Sequence, residues 1–195
     1  NSFDRFCQER IFKPLGLRST GFVDLTQLRT RRLQPVEEVI APTENCPWRK
    51  KILCGEVHDD NAYAMGGVAG HAGLFSSAHE VHAFLVRMSQ CLHGKDSFLP
   101  QAVVQEFLTR GSSPKDSNFA LGWDTPTAGK SAAGSFFSPR SVGHLGFTGC
   151  SIWWDLEKNC HVVLLTNRVH PSRKNDKIKD FRPQIHDQIM KVLFP

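Results

Sequence analysis

Two glycine-dense segments carry the residue types that could do chemistry. The first, Gly143-His144-Leu145-Gly146-Phe147-Thr148-Gly149-Cys150, runs into the apolar stretch Ser151 to Trp154. Glycines beside a strand mark a place where another backbone or a ligand comes close, and bare amides there can donate to a developing oxyanion. The second, Gly66 to Ser76, holds four glycines in its first eight residues and leads into a helix start. That density permits close backbone approach or positive φ, at an entropic cost a plain loop rarely carries. His71 lies within it, and the adjacent pair His58 and Asp59 lies shortly before it. One His beside one Asp in a loop hydrogen bonds more often than it catalyses.

Other chemistry is excluded by spacing. His79 and His82 flank Glu80, but a zinc-protease helix needs its histidines four apart and these are three apart. Two solvent-facing helix histidines are the expectation, and no metal or cofactor is implied. Gly129-Lys130-Ser131 resembles the end of a phosphate loop, yet Asp124 stands where the leading Gly belongs. No GxSxG elbow occurs. A Ser-x-x-Lys spacing does occur at Ser112 to Lys115, where one helical turn could set an amine beside a hydroxyl, but Pro114 interrupts it and a loop is expected.

The composition frames these sites. The net charge is +5, with basic residues scattered except at Arg29 to Arg32 and Arg168 to Lys179, so a solvated face is expected and not a nucleic-acid surface. No apolar run approaches the ~20 residues of a membrane helix. Six cysteines form no CxxC pair, and several stand in apolar contexts, which predicts buried thiols. Asn1 opens directly on an amphipathic segment with neither initiator Met nor signal region. That start suggests a piece of a longer chain whose true N-terminus is missing, and it leaves bacterial periplasm and cytoplasm both open.

The elements that must position the candidates follow from periodicity. Ser2 is expected to cap a helix through Phe3, Phe6, Cys7 and Ile11, stopped by Pro14 and Gly16. Residues 23–65 show no sustained period and predict a long loop region with short strands. Ser77 and Glu80 form a capping box for a helix whose stripe is Val81, Phe84, Leu85, Met88 and Leu92. Pro100 opens a third helix with Val103, Val104, Phe107 and Leu108 together and Gly111 as its stop. Strands are expected at 118–123, 134–137, 150–154 and 160–166, the last two joined by a turn at 155–159. Ile185, Ile189, Val192 and Leu193 predict a closing helix. The class is α+β, an antiparallel sheet flanked by helices.

The segment His144-x-Gly146-x-Thr148-Gly149, followed by Cys150 to Asp155, resembles the third box of the serine β-lactamase and penicillin-binding-protein superfamily. The similarity is to the branch of class C β-lactamases, D-alanyl-D-alanine peptidases and related esterases. Glu9 to Leu17, Gly55 to Ala62, Gly66 to Ser76 and Leu164 to Pro171 also resemble stretches of that branch, in order. The family's mechanism is acyl transfer: a Ser in SxxK attacks, a Lys and a YxN Tyr move protons, and backbone amides hold the oxyanion. Tyr63 is the only Tyr, and Met65 stands where the Asn would be.

The resemblance therefore implies a C-terminal portion of a β-lactamase/transpeptidase-like fold, residues 1–195 being part of one domain. Its SxxK and YxN boxes would lie in a missing N-terminal half, and this chain alone would lack the nucleophile. By the same resemblance His144 matches the box's Lys, Gly146 its Gly, and Phe147 the residue whose N–H enters the oxyanion hole. Leu145 departs from a Ser or Thr that binds a substrate carboxylate. An imidazole is mostly neutral at pH 7 where an ammonium is charged, which favours an ester or a less charged amide over an anionic β-lactam. The implied site is thus His144 and Phe147 in catalysis, with Gly146, Thr148, Arg168, His58, Asp59 and His71 binding substrate. Arg168 would restore positive charge. The implied partners are a small ester, amide or peptide substrate and the missing half. The rival reading is a non-catalytic β-lactamase-like binding module or a complementing half-chain.

Overall fold

The computed structural model describes residues 2–32, 35, 39–111 and 117–195. The chain forms two compact units, Asn1–Val81 with Thr166–Asn175, and His82–Leu165 with Asp176–Pro195.

In the first unit, helix α1 (Phe3–Cys7) runs on as a π-helical turn (Gln8–Phe12) that buries Cys7 and Phe12. Ser2 contributes its carbonyl to Phe6 N–H and not the expected side-chain cap. Strands β1 (Gly21–Phe22), β2 (Asn45–Cys46), β3 (Lys51–Ile52) and β4 (Leu74–Phe75) make two antiparallel pairs, β1 with β4 and β2 with β3. The stretch 23–65, expected as loop with short strands, also contains helices α2 (Leu25–Arg29) and α3 (Asp60–Ala64). Each starts on an aspartate. Asp24 accepts from the Thr26 and Gln27 amides, and Asp59 from the Ala62 amide at 2.7 Å. Five residues are too few turns to leave a hydrophobic period. Gly67, at φ 90°, lies so close to the Val23 carbonyl that no Cβ would fit; the close approach in this glycine run is made by the chain itself.

Helix α4 (Ala78–Leu92) begins in this unit, and its capping box is half formed. Ser77 Oγ accepts the Glu80 amide at 3.3 Å, but the Glu80 carboxylate turns to the Arg18 and Ser19 amides and the Thr20 hydroxyl. Burial pushes the Glu80 carboxyl up, and these bonds together outweigh it and hold the group below its ordinary value.

The second unit is a five-stranded antiparallel sheet in chain order: β5 (Phe119–Ala120), β6 (Trp123–Asp124), β7 (Val142–Leu145), β8 (Ser151–Asp155) and β9 (Cys160–Leu164). Consecutive residues on a strand face opposite ways, so Trp153 and Trp154 enter two separate cores. Trp154 packs with Val142, Met88 and Cys91 of α4, and Val104 and Leu108 of helix α5 (Gln101–Leu108). Trp153 packs with Ala133, Phe137, Val162 and Met190 of helix α6 (Ile178–Leu193). The expected strand at 118–123 is a tight hairpin, and the one at 134–137 is loop that delivers Phe137 to the core. Helix α5 stops at Leu108, short of Gly111, with Val103 and Phe107 exposed. On α6 the buried positions are Ile178, Arg182, His186 and Met190, while the expected Val192 and Leu193 face solvent. Two of the four are polar. Among the described residues no helix is long and apolar enough to cross a membrane.

His161 on β9 stacks edge-on against Trp154 and against His82 of α4. Burial, with the neighbouring His82, lowers its pKa to about 4. The unfolded state therefore binds a proton that the folded state refuses between pH ~6.5 and about 4. Stability is full above pH ~6.5 and falls as pH drops through that window, by about 2 kcal/mol once solvent screening of a partly exposed ring is allowed for. Buried His58 and His186 are displaced the same way. Thermal melts at pH 8, 6 and 5 are expected to descend, with a shallower descent for His161→Phe. Parallel curves would remove His161 as a cause.

Candidate active site

Strand β7 delivers His144 and Leu145 to a turn that returns into β8. The turn closes on itself through Gly146 N–H to Cys150 O at 2.8 Å and Gly149 N–H to Gly146 O at 3.0 Å. Phe147 stands at its tip, 62% exposed, and Thr148 Oγ1 lies 3.9 Å from Cys150 Sγ. In β7 the alternation places His144 on the same face as Val142, the side covered by α4 and α5, and it leaves the ring exposed. The His144 Nδ1 hydrogen bonds the Leu145 carbonyl at 3.1 Å. A carbonyl can only accept, so Nδ1 carries the hydrogen and Nε2 accepts in the neutral ring.

Leu145 of this segment has another role than expected, and Gly143 makes the expected close approach within the fold. Leu145 does not stand at a pocket rim; it is on the opposite face and packs against the core of Phe137, Trp153 and Met190. Gly143 pairs with Trp153 across the strands, and the indole occupies the space a side chain would need. The close neighbours of this strand glycine are an aromatic ring and the Ile152 backbone carbonyl. Sequence reasoning missed Asp124 on β6, whose carboxyl burial pushes up, with the Thr125 amide and His144 charge opposing.

The remaining candidates belong to the first unit. Asp59 Oδ1 meets His71 Nε2 at 3.1 Å, and both side chains are solvent-accessible. The Ala62 amide and then His71 hold the Asp59 carboxyl below its ordinary value, against its burial. His58 is a different case. It is buried, 3.1 Å from Glu44 Oε2, and burial lowers its pKa. It is a scaffold residue, which is the commoner role for a loop histidine. Arg168 Nη1 donates to the carbonyls of Arg173 and Asn175, both at 2.8 Å, and so braces the 166–175 loop.

The charged centre of this unit, missed from sequence, is Glu44 with Arg173. Arg173 Nε reaches Glu44 Oε2 at 2.7 Å and its Nη1 reaches Asp60 Oδ2 at 3.0 Å. Arg49 bonds Glu56 and Asp60 and lies 3.9 Å over the Tyr63 ring. The Glu44–Arg173 pair spans 129 residues of chain, and no local pattern could have announced it. Ser112 to Lys115 lies outside the described residues. Among the described residues no group of three His, Cys, Asp or Glu side chains could hold a metal.

Comparison with known proteins sets this geometry in a family. A profile described as Beta-lactamase matches residues 1–185. A protein of Salmonella agona named "Putative D-alanyl-D-alanine carboxypeptidase" is 35% identical over 189 residues, 90% of this chain and 42% of its own. A β-lactamase structure from Mycobacterium bovis has a TM-score of 0.61 at 18% identity, over 97% of this chain and 56% of its own. Simvastatin synthase from Aspergillus terreus has a TM-score of 0.58 at 15% identity, over 97% of this chain and 50% of its own. The chain thus spans about two fifths of the length of the curated relatives it matches.

These matches correct the expected extent of the resemblance. It is not confined to a C-terminal half or C-terminal portion of the fold, because the family match starts at residue 1 and runs through nearly the whole chain. The expectations built on that placement are withdrawn with it: a missing N-terminal half as partner, a complementing half-chain, and a nucleophile absent from this chain. They rested on sequence outside this chain, whereas the glycine turn, β8 and the loops before α4 lie inside the matched span. By that match the chain belongs to the Beta-lactamase family.

Proposed function

We propose that the protein is an acyl-transferring hydrolase of esters or amides, with the Gly146–Phe147 peptide at its oxyanion site. The observation that carries this reading is the closed turn from Gly146 to Cys150, which fixes the Gly146–Phe147 peptide two residues after the exposed His144. A preorganised amide at such a position stabilises the charge that develops on a carbonyl oxygen under attack. His144, with Nε2 free of the hydrogen held on Nδ1, accepts a proton or hydrogen bond from substrate, and Thr148 offers a hydroxyl. The names of the relatives support acyl chemistry: a carboxypeptidase, a β-lactamase, and EstCE1, a hydrolase with promiscuous acyltransferase activity.

The substrate class follows from charge and packing. Leu145 is turned into the core and supplies no hydroxyl, and His144 stands where the resemblance puts an ammonium. Neutral esters are therefore preferred over carboxylate-bearing substrates. The test is hydrolysis of a short-chain chromogenic ester, a chromogenic β-lactam and a peptide ending in D-Ala-D-Ala, with mass mapping of the acylated Ser peptide. Ester turnover with a single acyl adduct is expected. No turnover and no adduct with any of the three would overturn the reading.

His144→Lys is expected to raise kcat/KM for a carboxylate-bearing ester relative to its methyl ester by about tenfold, the worth of one charge-assisted hydrogen bond. An unchanged ratio would remove His144 from the substrate site. The change at Leu145 is left out of this variant because Leu145→Thr would put a hydroxyl against Phe137 and Trp153.

A further inference from the structure

The buried Arg182 of α6 holds the glycine turn from behind. Its Nη2 donates to the Gly146 carbonyl and to the Cys150 carbonyl, each at 2.7 Å, and the residue is only 7% exposed. These carbonyls lie at the two ends of the turn, and Cys150 O also accepts from Gly146 N–H. Gly146 O receives Gly149 N–H as well, so one carbonyl oxygen accepts from a guanidinium and an amide together.

That carbonyl belongs to the same peptide group as the Phe147 N–H. A trans peptide is planar, with its C=O and N–H pointing in opposite directions. Drawing the Gly146 oxygen toward α6 therefore turns the Phe147 N–H away from α6, toward the side of the turn where His144 lies. A positively charged donor on the oxygen also withdraws electron density from the amide, and hydrogen bonds in series strengthen one another in a dry interior. The geometry points to Arg182 as the positioning residue of the oxyanion site: it fixes the plane of the Gly146–Phe147 peptide and polarises its N–H. This rests on the acyl-transfer reading for its catalytic consequence, while the orientation and polarisation of the peptide stand apart from it. His186, one helical turn further along α6, pins the start of β8 in parallel, with Nδ1 bonded to the Ala132 carbonyl at 2.9 Å and Nε2 to Ser151 Oγ at 3.3 Å. Arg182 therefore acts on a strand start that is already held.

The experiment is amide NMR and kinetics on the full chain with Arg182→Ala and Arg182→Gln. In Arg182→Ala the Phe147 amide proton is expected to shift upfield and the Gly146 and Gly149 amides to exchange on the order of tenfold faster, with β8 and β9 amides unchanged. On an ester substrate kcat is expected to fall on the order of ten- to a hundredfold with KM within about twofold, since the amide acts on charge present only in the transition state. Added guanidinium ion should restore part of kcat and of the Phe147 resonance, which a general loss of stability would not allow. Arg182→Gln can keep a hydrogen bond without the charge; it should hold exchange near wild type and still lower kcat. It also keeps the test decisive if Arg182→Ala does not fold. An unchanged Phe147 shift and unchanged Gly149 exchange in Arg182→Ala, or, where only Arg182→Gln folds, a Phe147 shift and a kcat both equal to wild type, would overturn the inference. A wild-type protein inactive on every acyl substrate would overturn the function reading, while the amide measurements still judge Arg182.

Discussion

Gly143→Ala is expected to destabilise the protein by ~3 kcal/mol, at the upper end of what overpacking a filled core costs. An added Cβ would overlap the six-membered ring of the Trp153 indole and stand 2.5 Å from the Ile152 carbonyl oxygen. Neither can retreat. Ile152 O belongs to a central strand, and Trp153, 1% exposed, is held by Phe137 at 6.0 Å between ring centroids and by the Met190 side of α6. In a chain of this length the loss corresponds to a melting midpoint lower by roughly 6–12 °C. Gly146→Ala is the control, because its Cβ would be tight only against the Cys150 Cβ, at 3.2 Å, with ordinary contacts at 3.6 Å to the Cys150 backbone, and a small shift relieves it. Exchanging Trp153 for Leu in the Gly143→Ala background should recover part of the loss, giving coupling between two residues in contact. A Gly143→Ala protein that melts with the wild type would show that the indole is not locked in place.

The same glycine shows what the sequence can and cannot reveal. A glycine beside a strand points correctly to close approach at 143, but the period-2 pattern of β7 is too short to say which face is core. Hence Leu145, which the resemblance sets where a Ser or Thr binds a substrate carboxylate, is found among Phe137, Trp153 and Met190. Helix α4, β8 and β9 are legible because long or strongly apolar runs repeat their period enough times to fix a face. On α6 the apolar positions mislead, because two of the four inward positions are Arg182 and His186, each satisfied by backbone carbonyls that come from distant residues. Polar groups can face a core when their partners are supplied by the tertiary fold, and hydrophobicity cannot register that. The capping box fails in the same way: Glu80 has better donors at residues 18–20 than its own helix start.

The Glu44–Arg173 pair is a distant partnership of the same kind, made on a buried carboxylate. The Glu44 carboxylate is 3% exposed and accepts hydrogen bonds from the Arg173 Nε and backbone amide, with Nη2 2.6 Å away as an ion-pair contact and His58 also against it. Among the described residues Arg173→Ala removes the only guanidinium on it and leaves a buried carboxylate facing one histidine. Breaking a buried pair by deleting one member costs about 3–5 kcal/mol, and Arg173 keeps 34% of its side chain in water, so the lower figure, ~3 kcal/mol, is expected. The pH dependence identifies the cause. Arg173, chiefly by its hydrogen bond, holds Glu44 below the ordinary carboxylate range, so wild type keeps this contribution above pH ~4.3 and loses it as pH falls below that value. Without Arg173 the Glu44 carboxyl rises and His58, no longer repelled, takes a proton more readily. The deficit of Arg173→Ala should therefore be largest near pH 8 and narrow toward pH 5. Glu44→Gln added to Arg173→Ala should recover stability at pH 8 and change little at pH 5, because an amide carries no charge to strand. A deficit independent of pH, unrelieved by Glu44→Gln, would mean that Arg173 contributes through packing of the 166–175 loop and not through the charge on Glu44.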